Sequence, residues 1–329
     1  MHRRPLLRTA LALPALALTR VARAQTRRPL RIVVPFPPGG AVDSLARVMA
    51  DRLPALLDQQ QVVVDNRSGG GGLIGADAVA KAPPDGTTIG IIGAATLCAA
   101  PFLQQSMPFD VARDLRAVTQ ITDSAVLLAV STQMAESRGW TNMAALLDWA
   151  RANPGAFRVA HSGVATVTHL VMSAVVAQAR VDMTLVPYRG GAQQATDLLA
   201  GTVEGSADLP SSLIPHAAAG RLRLLGTSSG TRLGLLPDVP AFAETPALAG
   251  FDVRSWNAIM VPAATPEAEI ARLDGAIRHL GAASSFRDAL RPLGYDAVTS
   301  ASPAAAAQLI RDETPRWERL VRASGATVN

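Results

Sequence analysis

Cysteine is nearly absent from this chain of 329 residues. Cys98 stands alone, so no internal disulfide can form and the fold has to rest on buried apolar surface. Aromatic residues make up 4% and charged residues 17% of the chain. Set against 49% hydrophobic residues, that low charge excludes a solvated, disordered chain. Long hydrophobic runs are missing too: apolar stretches break at Gly, Pro or a charge, short of the roughly 20 residues that a membrane-spanning helix requires. Past the N-terminal segment there is no surplus charge of either sign. Residues 1–24 carry Arg3, Arg4, Arg8, Arg20 and Arg23 and no acid. Without those cations the chain's 31 Lys+Arg fall to 26, level with its 26 Asp+Glu. The formal +5 therefore belongs to the leader. Nucleic acid, whose affinity comes from counterion release at phosphates, is not an expected partner.

What is present starts with that leader. Arg3 and Arg4 precede an apolar run from Leu11 to Leu18, and Ala22-Arg23-Ala24 has the small-x-small form of a cleavage site. Residues 1–24 are expected to act as a signal peptide, cleaved near Ala24, leaving the mature protein free in the periplasm. Cys98 lies too far along to take a lipid at the new N-terminus. The arginine pair fits general and twin-arginine export alike.

Beyond the leader, short apolar runs alternate with helical periodicity, which predicts an α/β fold. Strands are expected at 31–34, 62–64 and 88–92, with helices over 41–53 and 73–81 between them. Strand-like runs recur at 126–130, 157–160, 185–186 and 222–225, interleaved with helices over 143–152, 166–179, 192–200 and 211–219. A run at 256–261 leads into a tail with helices over 266–281, 284–290 and 303–322. Two such series and a returning tail predict two lobes, 25–126 plus 256–329 and 127–255, with a ligand cleft between them.

One internal echo is specific. Val33-Val34-Pro35-Phe36-Pro37-Pro38-Gly39-Gly40-Ala41 ends a strand and opens a helix, and Leu185-Val186-Pro187-Tyr188-Arg189-Gly190-Gly191-Ala192 does the same in the other series. Glycines let a ligand approach the peptide groups closely. The helix that follows offers unpaired N–H groups and the positive end of its dipole. Together these form an anion site without a charged side chain. Two of them across a cleft suit a small molecule with a carboxylate at one or both ends. Taken singly, each loop also reads as ordinary turn chemistry.

Other motifs carry less. Gly70-Gly71-Gly72-Leu73-Ile74-Gly75 matches G-x-G-x-x-G, but no acid ends the next strand to hold a ribose, and Asp65-Asn66-Arg67-Ser68 separates strand from glycines. Gly226-Thr227-Ser228-Ser229-Gly230 matches a nucleophile elbow, with Asp252 and His279 downstream in the right order. A helix should follow directly, and Gly234, Pro237 and Pro240 break the segment instead. His161, His169, His216 and His279 show no metal-ligand spacing; His169 reads as a helix histidine or as a cleft residue. Asp43 and Asp208 read equally as caps or as ligand contacts.

Both Pro-aromatic-Gly-Gly loops, Val62-to-Gly86 (VVVDNRSGGGGLIGADAVAKAPPDG), Val186-to-Asp208, Ala219-to-Arg223, Leu236-to-Pro240 and Trp256-to-Pro266 together resemble the periplasmic substrate-binding proteins of tripartite tricarboxylate transporters, the Bug-type receptors. The likeness covers nearly the whole mature chain. It implies a two-lobed type II periplasmic binding protein fold closing on a small carboxylate, with no cofactor, no metal and no catalytic residue. An integral-membrane permease is the implied partner and the monomer the implied state. Carried over by motif, the site comprises Phe36, Pro38, Gly39, Gly40 and Asp43 of one loop and Tyr188, Gly190, Gly191 and Ala192 of the other, with Thr96, Ser162, Thr166 and Asp208 as further pocket positions. Family members often have Thr-His-Ala-Ile-Asn-Pro where this chain has Thr96-Leu97-Cys98-Ala99-Ala100-Pro101. They also have a second glycine and more polar residues in the loop that here reads Gly163-Val164-Ala165-Thr166. A less polar wall follows, open to an aromatic or more apolar acid. The alternatives are an exported serine hydrolase using Ser228 and a ligand-sensing partner of a membrane signalling protein.

Overall fold

The run Leu30-Arg31-Ile32-Val33-Val34 is β-branched at its last three positions and buried nearly throughout, as a central parallel strand must be. In the computed structural model, which describes residues 27–325, it is the first of eleven strands; the expected signal peptide lies outside the described residues. In chain order these are β1 (Leu30–Val34), β2 (Val62–Asn66), β3 (Thr88–Gly93), β4 (Leu115–Ala125), β5 (Leu127–Ser131), β6 (Arg158–His161), β7 (Thr184–Pro187), β8 (Gly205–Asp208), β9 (Leu222–Thr227), β10 (Arg254–Pro262) and β11 (Asp296–Ala297). They form two sheets, ordered β11-β4-β10-β3-β1-β2 and β7-β6-β8-β5-β9.

The sheets share a plan. In the first, β1 pairs in parallel with β2 and β3; in the second, β6 pairs in parallel with β7 and β8. The helices Ala41–Arg52 and Leu73–Ala80 make the crossovers of the first, and Val167–Ala179 and Gly191–Leu199 those of the second. Antiparallel strands then complete each sheet, β10, β4 and β11 beside β3, and β5 and β9 beside β8. The expected strands and helices of both series are present. The eleven-residue β4 has no counterpart among the expected strands, and the strand expected at 222–225 runs on to Thr227.

The chain passes between the sheets twice, from β4 to β5 through Val126 and from β9 to β10 through residues 228–253. One buried apolar cluster spans this passage, from Ile92 and Trp256 of the first sheet to Trp140, Phe157 and Met172 in the segments flanking the second. Trp140 packs edge-on against Phe157 with ring centroids 5.4 Å apart, a geometry that adds to simple burial. The C-terminal helix Pro303–Ser324 lies against both β4 and the Val167–Ala179 helix. Its Ile310 carbonyl accepts from the Cys98 thiol, whose pKa burial pushes up to about 12. That thiol is packing material.

Candidate ligand cleft

After β1 the chain needs a reversal that L-residues with a Cβ resist, and Gly39 supplies it at φ +85°. Gly40 then occupies the N-cap of the Ala41–Arg52 helix and, having no side chain, leaves the first turn uncapped. The loop is braced from within. Asn66 Nδ2 donates to the Phe36 carbonyl and to Asp43 Oδ1, both at 3.0 Å. Asp43 Oδ2 accepts from the Gly39 N–H at 2.9 Å and from Arg47 Nε at 2.8 Å. Burial would raise the Asp43 pKa, but hydrogen bonds from Arg47, Gly39 and Asn66 outweigh it and hold the carboxyl below its ordinary value. Asp43 thus fixes the loop's shape and takes the Gly39 amide for itself, leaving those of Gly40, Ala41 and Val42.

The second loop repeats the device with a different brace. Gly190, in an extended conformation, is the uncapped N-cap of the Gly191–Leu199 helix. A Cβ at Gly191 would overlap Asp208 Oδ2 and Ser212 Oγ, so only glycine lets helix and acid pack this closely. Asp208, at the end of β8, accepts from Ser162 Oγ and from the Leu209 N–H, each at 2.8 Å, with Gln194 Nε2 at 3.5 Å. Burial raises its pKa. Gln194 in turn donates to Ser162 Oγ at 3.0 Å and accepts from Ser206 Oγ at 3.0 Å, so the polar groups behind this loop form one connected network.

Both loops open on one cavity of about 380 Å³ between the sheets, within the range of small-molecule sites. Of the residues expected in a site, Phe36, Pro38, Gly39, Gly40, Thr96, Ser162, Thr166, Gly190, Gly191, Ala192 and Asp208 line it. Asp43 and Tyr188 do not. Asp43 is turned beneath its loop, and the Tyr188 hydroxyl donates to Asp197 Oδ2 at 2.7 Å on the other side of its own. The structure adds Leu209, Ser212, Ser255 and Tyr295, which lie outside every motif, and Arg189 and Asn257, which lie within the second glycine loop and the Trp256-to-Pro266 stretch. The Val167–Ala179 and Pro210–Ala218 helices also begin at this cavity without a side-chain cap. Among the described residues lining it, only Arg189 and Asp208 are charged. Four helix starts and one cation make it a place for an anion.

The competing motifs have structural explanations. Gly70, Gly71 and Gly72 have φ of +59°, +64° and +102° and form a tight turn. A Cβ at Gly75 would come within 2.7 Å of Pro35, so these glycines serve turn and packing. Ser228 lies at the passage between the sheets, fully buried. Its Oγ donates to the Val253 carbonyl at 2.6 Å and accepts from the Val126 N–H at 3.0 Å, while its own N–H donates to the Val126 carbonyl at 2.8 Å. It ties both inter-sheet segments together and is out of reach of any substrate. Ser228→Ala strands a buried N–H and a buried carbonyl, so denaturant melts are expected to show a loss of about 1–3 kcal/mol. A fluorophosphonate should leave the wild-type serine unlabelled; stoichiometric labelling there would restore the hydrolase reading.

Among the described residues no group of three His, Cys, Asp or Glu is placed to hold a metal, and no helix is long and apolar enough to cross a membrane. Two α/β sheets with a cleft between them, entered by uncapped helices, define a two-lobed solute-binding protein. Residues 45–326 match the model of the tripartite tricarboxylate transporter family receptor. The chain belongs to that family. It is 40% identical over 320 residues to the UPF0065 protein in the tcbD-tcbE intergenic region of Pseudomonas sp. strain P51, covering 95% of this chain and 93% of that protein. Among solved structures it is similar to Rpa4515 of R. palustris with adipate, at TM-score 0.85 and 30% identity, covering 92% of this chain and 100% of that one. It is also similar to the periplasmic binding protein BugD, at TM-score 0.83 and 26% identity, covering 92% and 99%.

Proposed function

We propose that this protein captures a small carboxylate in the cleft, by closure of the lobes 25–126 plus 256–329 and 127–255, and delivers it to an integral-membrane permease. The observation that carries this reading is the pair of side-chain-free helix starts, Gly40 and Gly190, brought from different sheets to one cavity. Amides of residues 40–42 and 190–192 donate to the carboxylate, Arg189 adds charge, and Thr96, Ser162 and Thr166, whose hydroxyls donate to the Gly71 carbonyl, Asp208 and the Gly163 carbonyl, shape the wall beside it. Membership in a receptor family of periplasmic binding proteins supports export, with cleavage near Ala24 and action in the periplasm. Asp43 and Tyr188 act behind the loops, as braces. A buried Ser228 leaves the hydrolase alternative without a nucleophile.

The reading is tested by thermal shift against mono-, di- and tricarboxylates. A ligand at a hundred times its Kd adds about 2.7 kcal/mol to the stability of the folded state, so at least one class should raise Tm by several degrees at millimolar concentration. A flat response from all three classes contradicts it.

A further inference from the structure

The cleft holds a second polar set, far in sequence from both loops. Ser255 pairs with Ser124 and Asn257 with Thr122 in the β10–β4 ladder, and Asp296 pairs with Asp123 on the other side of β4. One residue further along that register, Tyr295 falls opposite Ser124. Alternation along the strands therefore puts Ser255, Asn257 and Tyr295 on one face of the first sheet, and all three line the cavity. They are incompletely satisfied. Tyr295 is 2% exposed and its hydroxyl has no well-formed hydrogen bond, although the Asn257 side chain lies beside it. Asn257 spends its Nδ2 on Thr122 Oγ1 at 2.9 Å, leaving Oδ1 free, and Ser255 Oγ makes no hydrogen bond. A buried hydroxyl without a partner is a cost that a bound ligand can remove.

Resting on the carboxylate reading above, we propose that Tyr295, Asn257 and Ser255 form the subsite for the ligand's other end. That end is an uncharged hydrogen-bonding group such as a hydroxyl, so the preferred ligand is a monocarboxylate with a neutral polar substituent. The set offers a phenol donor, an amide acceptor and a serine hydroxyl able to do either. It contains no cation, since Arg189 belongs to the second loop. A second carboxylate at this end would be desolvated without a counter-charge. A hydroxyl meets all three open groups at no such cost.

The test uses calorimetry on three matched series of four to eight carbons: ω-hydroxyalkanoates, the diacids, and the plain alkanoates. In the wild type, the best ω-hydroxyalkanoate is expected to bind at least tenfold tighter than the diacid of equal length. Tyr295→Phe keeps the ring and removes the hydroxyl. It should weaken the hydroxy acid by about tenfold, change the plain alkanoate by less than twofold, and leave Tm unchanged or higher. A diacid that binds as tightly as the hydroxy acid overturns the inference, as does a Tyr295→Phe variant with undiminished hydroxy-acid affinity; in either case the carboxylate reading survives. Failure of all three series to bind overturns the carboxylate reading and this inference with it.

Discussion

Replacing Gly191 with alanine is expected to weaken carboxylate binding by on the order of a hundredfold. The added methyl would overlap Asp208 Oδ2 and Ser212 Oγ, so either the helix start or the acid must move. If the helix moves, the amides of residues 190–192 leave their places; two charge-assisted hydrogen bonds lost at about 1.5 kcal/mol each give that factor. If Asp208 moves, its bonds from Ser162 and Leu209 break, and the network behind the loop opens. Overpacking of this kind also costs about 1–3 kcal/mol of stability. Gly190 is the control. It is extended, and a Cβ there meets nothing within 4 Å, so Gly190→Ala should keep the wild-type Tm. Equal affinities in Gly191→Ala and wild type, by calorimetry with the best carboxylate from the thermal screen, would remove the second loop from the site.

Acidification is the second large lever. His161 ends β6 and lies 1% exposed, its Nδ1 3.0 Å from the Gly163 carbonyl and its ring 4.7 Å from that of His169. Burial, with the neighbouring His169 adding to it, pushes its pKa down from 6.5 to about 4. Burial lowers His169 as well. Below pH 6.5 the unfolded chain takes up a proton at His161 that the native protein refuses, so stability falls with pH down to about 4. The slope is about 1.4 kcal/mol per pH unit from this one ring. The buried acids Asp123 and Asp208, whose pKa values are raised, act in the opposite direction at lower pH, so the comparison needs a variant. His161→Asn keeps a donor for the Gly163 carbonyl and cannot titrate. Between pH 7 and 5 the wild type should lose about 2 kcal/mol more than His161→Asn in urea melts; parallel losses would show that the ring takes up its proton as readily in the fold as in the unfolded chain. The native ring stays neutral over this interval, so the strand end that leads into Ser162, Thr166 and Thr168 of the cleft is unchanged and ligand affinity should hold.

Local signals carried the loops and most of the elements. Residues 30–34 read as a buried strand because nearly every side chain is apolar, and both Gly-Gly helix starts were legible because glycine, helix periodicity and the preceding proline are neighbours in the chain. β4 escaped because Arg116, Gln120, Thr122 and Asp123 break its apolar pattern; its place is set by β10 on one side and β11 on the other. The subsite of Ser255, Asn257 and Tyr295 left no trace for a similar reason. It exists only through strand register linking residues dozens of positions apart, and although Asn257 lies in the Trp256-to-Pro266 stretch, nothing local marks it as cavity lining. Asp43 and Tyr188 show the converse. Each lies within a loop that reaches the cleft, yet hydrogen bonds to Gly39, Arg47 and Asn66 in one case and to Asp197 in the other turn the side chain inward. Ser228 has the residues of a nucleophile elbow around it and the contacts of a tie between two inter-sheet segments.

Amide resonances of a sample labelled with ¹⁵N-glycine report most directly on whether peptide groups at the helix starts hold the acid. On titration with the best carboxylate, Gly40, Gly190 and Gly191 should move furthest, with their protons shifting downfield as hydrogen bonds to a charged oxygen form. Gly39, whose N–H already belongs to Asp43, should move least among the loop glycines. Saturable binding that leaves Gly40, Gly190 and Gly191 in place would contradict the account.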